Sequence, residues 1–249
     1  MEQRILELLK RARRENRKLF AVLVDPDKSD DRSLDVLTKT GKEAGIDLFL
    51  VGSSILRDDR FDSTLLRLKQ QAHCPVIIFP GNAMQVSEHA DGILLLSLIS
   101  GRNADLLIGQ HVLAAPFLRN SGIEIIPTAY LLIDSGAPTS VSYMSQTLPI
   151  PHDKDDIASC TALAGEQLGL QVLYLDAGSG ARHPVSARMI RNVRQVTNIP
   201  LVIGGGIRTP EKAAELAQAG ADMIVVGNSL ETDPGMLQEL ADAVHLTVR

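Results

Sequence analysis

Residues 201–229 read LVIGGGIRTPEKAAELAQAGADMIVVGNS. A short apolar run rich in β-branched residues ends in Gly204-Gly205-Gly206. Thr209 and Pro210 follow as N-cap and first helical residue, and Gly220 follows the last turn of the helix they start. A second apolar run then closes on Gly227-Asn228. Strand, crossover helix and strand of this length form a βαβ unit, and such a unit builds a parallel sheet. Without a Cβ, glycine lets backbone N–H groups approach an anion closely. A helical turn after Gly227 would add its positive N-terminal end. Glycine ends on two consecutive units form the paired-loop phosphate site found after the last two strands of an α/β barrel. Tight strand-to-helix turns are the plainer use of the same glycines.

Working outward, the same alternation repeats along the chain. Eight apolar runs read as strands: Leu19 to Pro26, Leu48 to Ser53, Pro75 to Pro80, Gly92 to Leu98, Glu124 to Leu132, Val172 to Ala177, Leu201 to Gly205 and Met223 to Gly227. Helical patterns fill the gaps over Ser33 to Ala44, Thr64 to Ala72, Asp105 to Arg119, Asp155 to Leu168, Ala187 to Val196, Pro210 to Ala219 and Gly235 to Val244. The gap from Gly81 to Ala90 is too short and polar for a full helix, and Asp134 to Pro151 is a long Ser-, Thr- and Pro-rich insertion expected to cover a site. The expected fold is a single α/β domain over residues 1–249, a (β/α)8 TIM barrel with a degenerate third helix. A doubly wound open sheet is the alternative. Asp25, Ser53, Ser54, Asp176, Gly204 to Gly206, Gly227 and Asn228 all fall at C-terminal strand ends, which converge on one mouth in a barrel.

Composition narrows the function. The chain has 249 residues, of which 45% are hydrophobic and 22% charged, enough to bury one large core. A net charge of −5 argues against a nucleic-acid partner, so any anion site must be local. Two cysteines are too few for a disulfide framework, which points to a reducing, cytoplasmic setting. No apolar run reaches the roughly 18 residues of a membrane span.

Three further clusters carry candidate chemistry. In Tyr174-Leu175-Asp176-Ala177-Gly178-Ser179-Gly180, strand alternation turns Tyr174 and Asp176 to one face and Leu175 to the other. Asp176 can accept a proton from a substrate hydroxyl, and Ser179 with neighbouring N–H groups extends an anion cradle; a turn or N-cap role is the competing use of this Asp. Asp25, beside Ser53 and Ser54, offers hard oxygen ligands suited to Mg²⁺, although Asp25-Pro26 also reads as a turn. The six histidines show no paired metal-ligand spacing, and the chain has no GxSxG, Walker or GxGxxG motif. The basic stretch Lys10 to Lys18 reads as a solvated helix face; its functional reading is attraction to anionic lipid or a diphosphate.

In order along the chain, Val24-Asp25-Pro26-Asp27-Lys28, Val51-Gly52-Ser53-Ser54, Tyr174 to Ala181, Gly204-Gly205-Gly206-Ile207 and Val226-Gly227-Asn228 resemble the geranylgeranylglyceryl phosphate synthases and their bacterial heptaprenylglyceryl phosphate synthase relatives. The resemblance implies a Mg²⁺-dependent prenyltransferase that joins sn-glycerol 1-phosphate to a polyprenyl diphosphate, geranylgeranyl diphosphate first. It implies Asp25 and Ser54 on the metal. Tyr174, Leu175, Asp176, Ala177, Gly178, Ser179, Gly180, Gly204, Gly205, Gly206, Gly227 and Asn228 would bind glycerol phosphate, with Asp176 as the base. It also implies a homo-oligomer, a dimer or larger ring, and allows a peripheral contact with a membrane. Many relatives carry Glu where this chain has Asp176, and often an aromatic near Leu106, in a segment beside the prenyl groove. The competing enzyme is another phosphate-binding TIM barrel, of amino-acid or cofactor biosynthesis, which needs no prenyl groove; a non-catalytic lipid-phosphate binder is a third reading.

Overall fold

The computed structural model describes residues 4–227 and 235–247. Its strands are β1 (Leu19–Val24), β2 (Leu48–Val51), β3 (Val76–Ile78), β4 (Gly92–Leu98), β5 (Glu124–Leu132), β6 (Val172–Asp176), β7 (Leu201–Gly204) and β8 (Met223–Val226). All pair in parallel with their sequence neighbours, and β1 returns to β8 through pairs such as Leu19 with Met223. Eight strands therefore close a barrel, as the alternation along the chain requires, and the open-sheet alternative falls.

Strand alternation sorts the core into two shells. Leu19, Ala21, Leu48, Leu50, Val172, Tyr174 and Val202 fill the barrel, while Phe20, Phe49, Leu173, Leu175 and Ile203 pack outward against the helices. Those helices are α2 (Asp31–Ala44), α3 (Phe61–Gln71), α4 (Gln110–Ser121), α6 (Asp155–Gln167), α7 (Ala187–Val196), α8 (Pro210–Gln218) and α9 (Met236–His245). Asp30 and Ser33 form a capping box on α2, and Thr209 caps α8 with Pro210 in its first turn.

Three departures shape the site. No helix fills residues 79–91, where a third barrel helix would stand between β3 and β4. The segment read as one helix from Asp105 begins with a π-helical turn, Asp105–Gly109, before α4. The insertion after β5 contains a short helix, α5 (Ser140–Ser145), again started by a capping box, Thr139 with Ser142.

The amino-terminal helix α1 (Arg4–Arg14) seals the opposite end of the barrel. Ile5, Leu6, Leu9 and Ala12 join the interior shell, and the Glu124 carboxylate at the foot of β5 accepts from the Ile5 and Leu6 amides at 2.7 and 2.8 Å. The basic stretch is thus more than a solvated face. Arg13 lies 3.6 Å from Asp222, Arg17 lies 3.1 Å from Asp47 and Lys18 is buried. Its charges tie α1 to the strand feet, the end away from the C-terminal strand ends, which removes the ground for reading it as a lipid or diphosphate site.

Candidate active site

Past the C-terminal strand ends lies a cavity of about 740 Å³. Every strand end contributes to its wall, so the expectation of a single converging mouth holds. Asp25, Ser54, Tyr174, Asp176, Gly178, Ser179, Gly180, Gly205, Gly206 and Gly227 all line it.

Asp176 sits at its centre. Burial pushes this carboxyl above the usual Asp range, opposed by two donors that favour the anion. The Tyr130 hydroxyl donates to Oδ2 at 2.5 Å, and the Gly178 amide donates to Oδ1 at 2.8 Å. Tyr130 and Tyr174 are themselves buried, their phenol groups raised well above ordinary values by desolvation and by the Asp176 charge. They remain protonated donors. Tyr174 stacks on Phe79 at 5.0 Å between ring centroids, and Tyr130 meets both rings at 5.7 and 6.0 Å, so three aromatics form a rigid floor beneath the carboxylate.

The glycine turns surround this group. Gly205 and Gly206 both take the left-handed conformation, with φ of 83° and 72°. A Cβ on Gly205 would lie 2.6 Å from the Gly178 nitrogen and 2.7 Å from Asp176 Oδ1. The turn after β7 therefore touches the turn after β6 with no room for a side chain. Gly180, with φ of 79°, has open space where its side chain would be, as a backbone lining for an anion requires. Arg208 lies beside these turns and donates to the Ala181 carbonyl at 2.8 Å. It gives an overall acidic chain a local positive charge.

Three residues expected at the site play other parts. Leu175 and Ala177 face the helix layer and are buried there, because alternation puts them on the opposite side from Tyr174 and Asp176. Gly204 does not line the cavity. It faces inward, where the Tyr174 ring fills the space a side chain would need. Asn228 and the turn after Gly227 lie outside the described residues.

Across the mouth, Asp25 Oδ2 lies 3.2 Å from the Lys28 ammonium and accepts from the Ser53 hydroxyl at 3.4 Å. Ser54, Lys28 and Arg57 line the cavity beside it. Among the described residues no group of three or more His, Cys, Asp and Glu could hold a metal ion. One carboxylate with neighbouring hydroxyls is not a closed cage; it fits a hard cation that completes its shell with substrate phosphate and water, as Mg²⁺ does.

From this polar side the cavity extends into an apolar arm. Its walls are Ile93 and Leu95 on the outward face of β4, Ala114 and Leu118 on the inner face of α4, Val86 from the helix-free connection and Leu106 from the π turn. The space follows from the missing third helix, which would cover the outer face of β3 and β4. The insertion contributes Ser140, Val141, Met144 and Ser145, so it does cover the mouth. It is tied on one side by Asn103 Nδ2 to the Ser145 carbonyl at 3.1 Å and on the other by Thr139, packed against Gly178.

A buried carboxylate between paired glycine turns and an apolar arm is a specific combination, and residues 11–245 match the PcrB family. The chain belongs to that family. It is 56% identical over 229 residues to a geranylgeranylglyceryl phosphate synthase of Spirosoma linguale, covering 92% of both chains. It is 51% identical over 228 residues to that of Chitinophaga pinensis, covering 92% of this chain and 90% of the relative. The crystal structure of (S)-3-O-geranylgeranylglyceryl phosphate synthase from Thermoplasma acidophilum, in complex with its substrate sn-glycerol-1-phosphate, matches with a TM-score of 0.92 at 35% identity, covering 99% of this chain and all of that one.

Sequence reading missed Tyr130 and Phe79. Tyr130 stands opposite Tyr174 in the β5–β6 ladder, so knowledge of that register would have placed it beside Asp176.

Proposed function

We propose that this protein forms the ether bond between the C3 hydroxyl of sn-glycerol 1-phosphate and a polyprenyl diphosphate, geranylgeranyl diphosphate in the first instance. The observation that carries this reading is one cavity that joins a glycine-lined anion cradle, a buried carboxylate and an apolar arm. A sugar-phosphate isomerase or synthase on this fold would use the cradle and the carboxylate, but would leave the arm without an occupant.

In this reading the phosphate rests against the backbone of Gly178 to Gly180, the Gly205-Gly206 turn and Gly227, with Arg208 beside it. The glycerol backbone then spans from that cradle to Asp176. As the C3 oxygen bonds to the allylic C1, the bond from C1 to the diphosphate oxygen breaks and the hydroxyl proton passes to Asp176. A carboxyl raised by burial is a stronger base than one in water, and the Tyr130 and Gly178 donors aim it and favour its anion. The prenyl chain lies in the arm between β4 and α4, away from water. Lys28 and Arg57 face the departing diphosphate. A Mg²⁺ ion held by Asp25 and Ser54 would neutralise charge on that leaving group.

The test is incubation of the purified protein with Mg²⁺, geranylgeranyl diphosphate and either sn-glycerol 1-phosphate or its 3-phosphate enantiomer, with products identified by mass spectrometry. An ether-linked product from the 1-phosphate alone is the expected result. No product from C20 or longer donors would refute the reading and return the protein to the other phosphate-binding barrel enzymes.

A further inference from the structure

The helix-free connection over residues 79–91 buries a polar side chain. Gln85 is 1% exposed, although glutamine is ordinarily a surface residue. Burial of a carboxamide is costly unless both of its ends are paired, and here both are. Its Oε1 accepts from the Gly81 amide at 2.9 Å, and its Nε2 donates to the Ser53 carbonyl at 2.9 Å. Gly81 and Ser53 belong to no helix or strand, so the side chain supplies bonds that secondary structure supplies elsewhere.

The two partners lie just past the ends of β3 and β2, and those ends are in close backbone contact. A Cβ on Gly52 would collide with the Phe79 carbonyl, and one on Gly81 with the Ser53 carbonyl. Gln85 therefore stitches together two strand ends that glycine lets approach. The Ser53 hydroxyl in turn donates to Asp25 Oδ2 at 3.4 Å, and Ser54 follows on the cavity wall. On the other side of Gln85, Val86 lines the apolar arm. The Ala83 amide donates to Gln110 Oε1 at 3.1 Å, which ties the same connection to α4.

We propose that Gln85 is a positioning residue for the diphosphate of the donor: its carboxamide holds the Ser53-Ser54 turn against Asp25. Gln85 does not line the cavity and acts through the Ser53 carbonyl. The connection that walls the arm thereby also sets the head-group site, so both ends of the donor are registered by one segment. The glycerol phosphate cradle stands on the ends of β6, β7 and β8, away from these bonds. Assigning the site to a prenyl donor rests on the prenyltransferase reading; the stitching of the two strand ends does not.

Gln85→Met keeps the length of the side chain and removes both bonds, leaving the Gly81 amide and the Ser53 carbonyl unheld. Calorimetric titration with inorganic pyrophosphate and Mg²⁺ reads the head-group site without turnover, and steady-state kinetics read both substrates. In Gln85→Met the Kd for pyrophosphate and the KM for geranylgeranyl diphosphate are expected to rise together, about tenfold. The KM for sn-glycerol 1-phosphate is expected to stay unchanged. Gln85→Asn keeps the amide but is one methylene too short to reach both partners, and it should show the same split if the methionine variant does not fold. Wild type that binds no pyrophosphate, or a folded variant with unchanged pyrophosphate and donor constants, would overturn the proposal. So would an equal rise in KM for both substrates, or loss of folding in both variants, since either outcome makes Gln85 a structural residue only. Wild type that binds pyrophosphate but forms no ether refutes the prenyltransferase reading alone, and the pyrophosphate titration of Gln85→Met then decides this one.

Discussion

Tyr130→Phe removes one oxygen from the site and leaves the ring that packs on Phe79 and Tyr174. The lost hydroxyl donates to Asp176 Oδ2 at 2.5 Å, one of two donors that hold this buried carboxylate. A hydrogen bond to an ionised group contributes about 1.5–3 kcal/mol, and each pKa unit corresponds to about 1.4 kcal/mol. The bond favours the anion, so its removal raises the already raised Asp176 pKa further. If Asp176 takes the substrate proton, the acidic limb of the kcat–pH profile moves to higher pH, while KM for glycerol 1-phosphate changes little at pH values where the carboxylate is ionised. Stability follows the same sign. An acid whose folded pKa lies above its unfolded value is destabilising once ionised, with the cost growing between the two pKa values and complete above the folded one. The stability deficit of Tyr130→Phe, measured by urea unfolding, should therefore be larger at pH 8 than at pH 4. An acidic limb that stays in place or moves down would refute the assignment of Asp176 as the titrating base.

Gly205→Ala should cost about 1–3 kcal/mol, because a Cβ there meets the Gly178 nitrogen at 2.6 Å in a left-handed backbone; calorimetric titration should show glycerol 1-phosphate binding lost from protein that is still folded by circular dichroism. Ala114→Phe fills the arm and should raise the KM for geranylgeranyl diphosphate about tenfold, equivalent to about 1.4 kcal/mol, with the KM for glycerol 1-phosphate unchanged. Asp25→Asn should raise the Mg²⁺ concentration for half-maximal rate at least tenfold in a metal titration, and chelation by EDTA should abolish wild-type turnover. Glu124→Ala removes the acceptor of two amides at the start of α1; it should lower stability by about 2 kcal/mol, read from the urea midpoint, with kcat unaltered.

The barrel was legible because its strands are apolar runs separated by helices with ordinary start and stop signals. The bounds of β4, β5 and α7 coincide with the sequence reading. Other strands end earlier than their apolar runs. In β1 and β2 the ladder stops at Val24 and Val51, and the next residues turn over the mouth to present Asp25 and Ser53. The π turn at Asp105–Gly109 carries no periodic signal that separates it from α4, since one extra residue per turn hardly disturbs an apolar stripe. The glycine turns were readable, but their division of labour was not. Gly205 and Gly206 have the conformation and exposure of a cradle, whereas Gly204 makes room for Tyr174. That distinction depends on which residue faces it across the barrel, and strand register is a tertiary property.

The apolar arm shows how an omission in the sequence becomes a feature of the site. Residues 79–91 are too polar and too broken to form a barrel helix, and on its own such a gap reads as a defect in the repeat. In the closed barrel Ile93 and Leu95, on the outside of β4, face the cavity instead of a helix, and α4 forms the other wall. Space that a phosphate-binding barrel of the ordinary kind fills with its own side chains is thus available for an apolar ligand. The feature that admits a lipid tail therefore has its physical origin in a gap in the repeat, so an insertion that restored a third helix should close the arm and abolish donor binding.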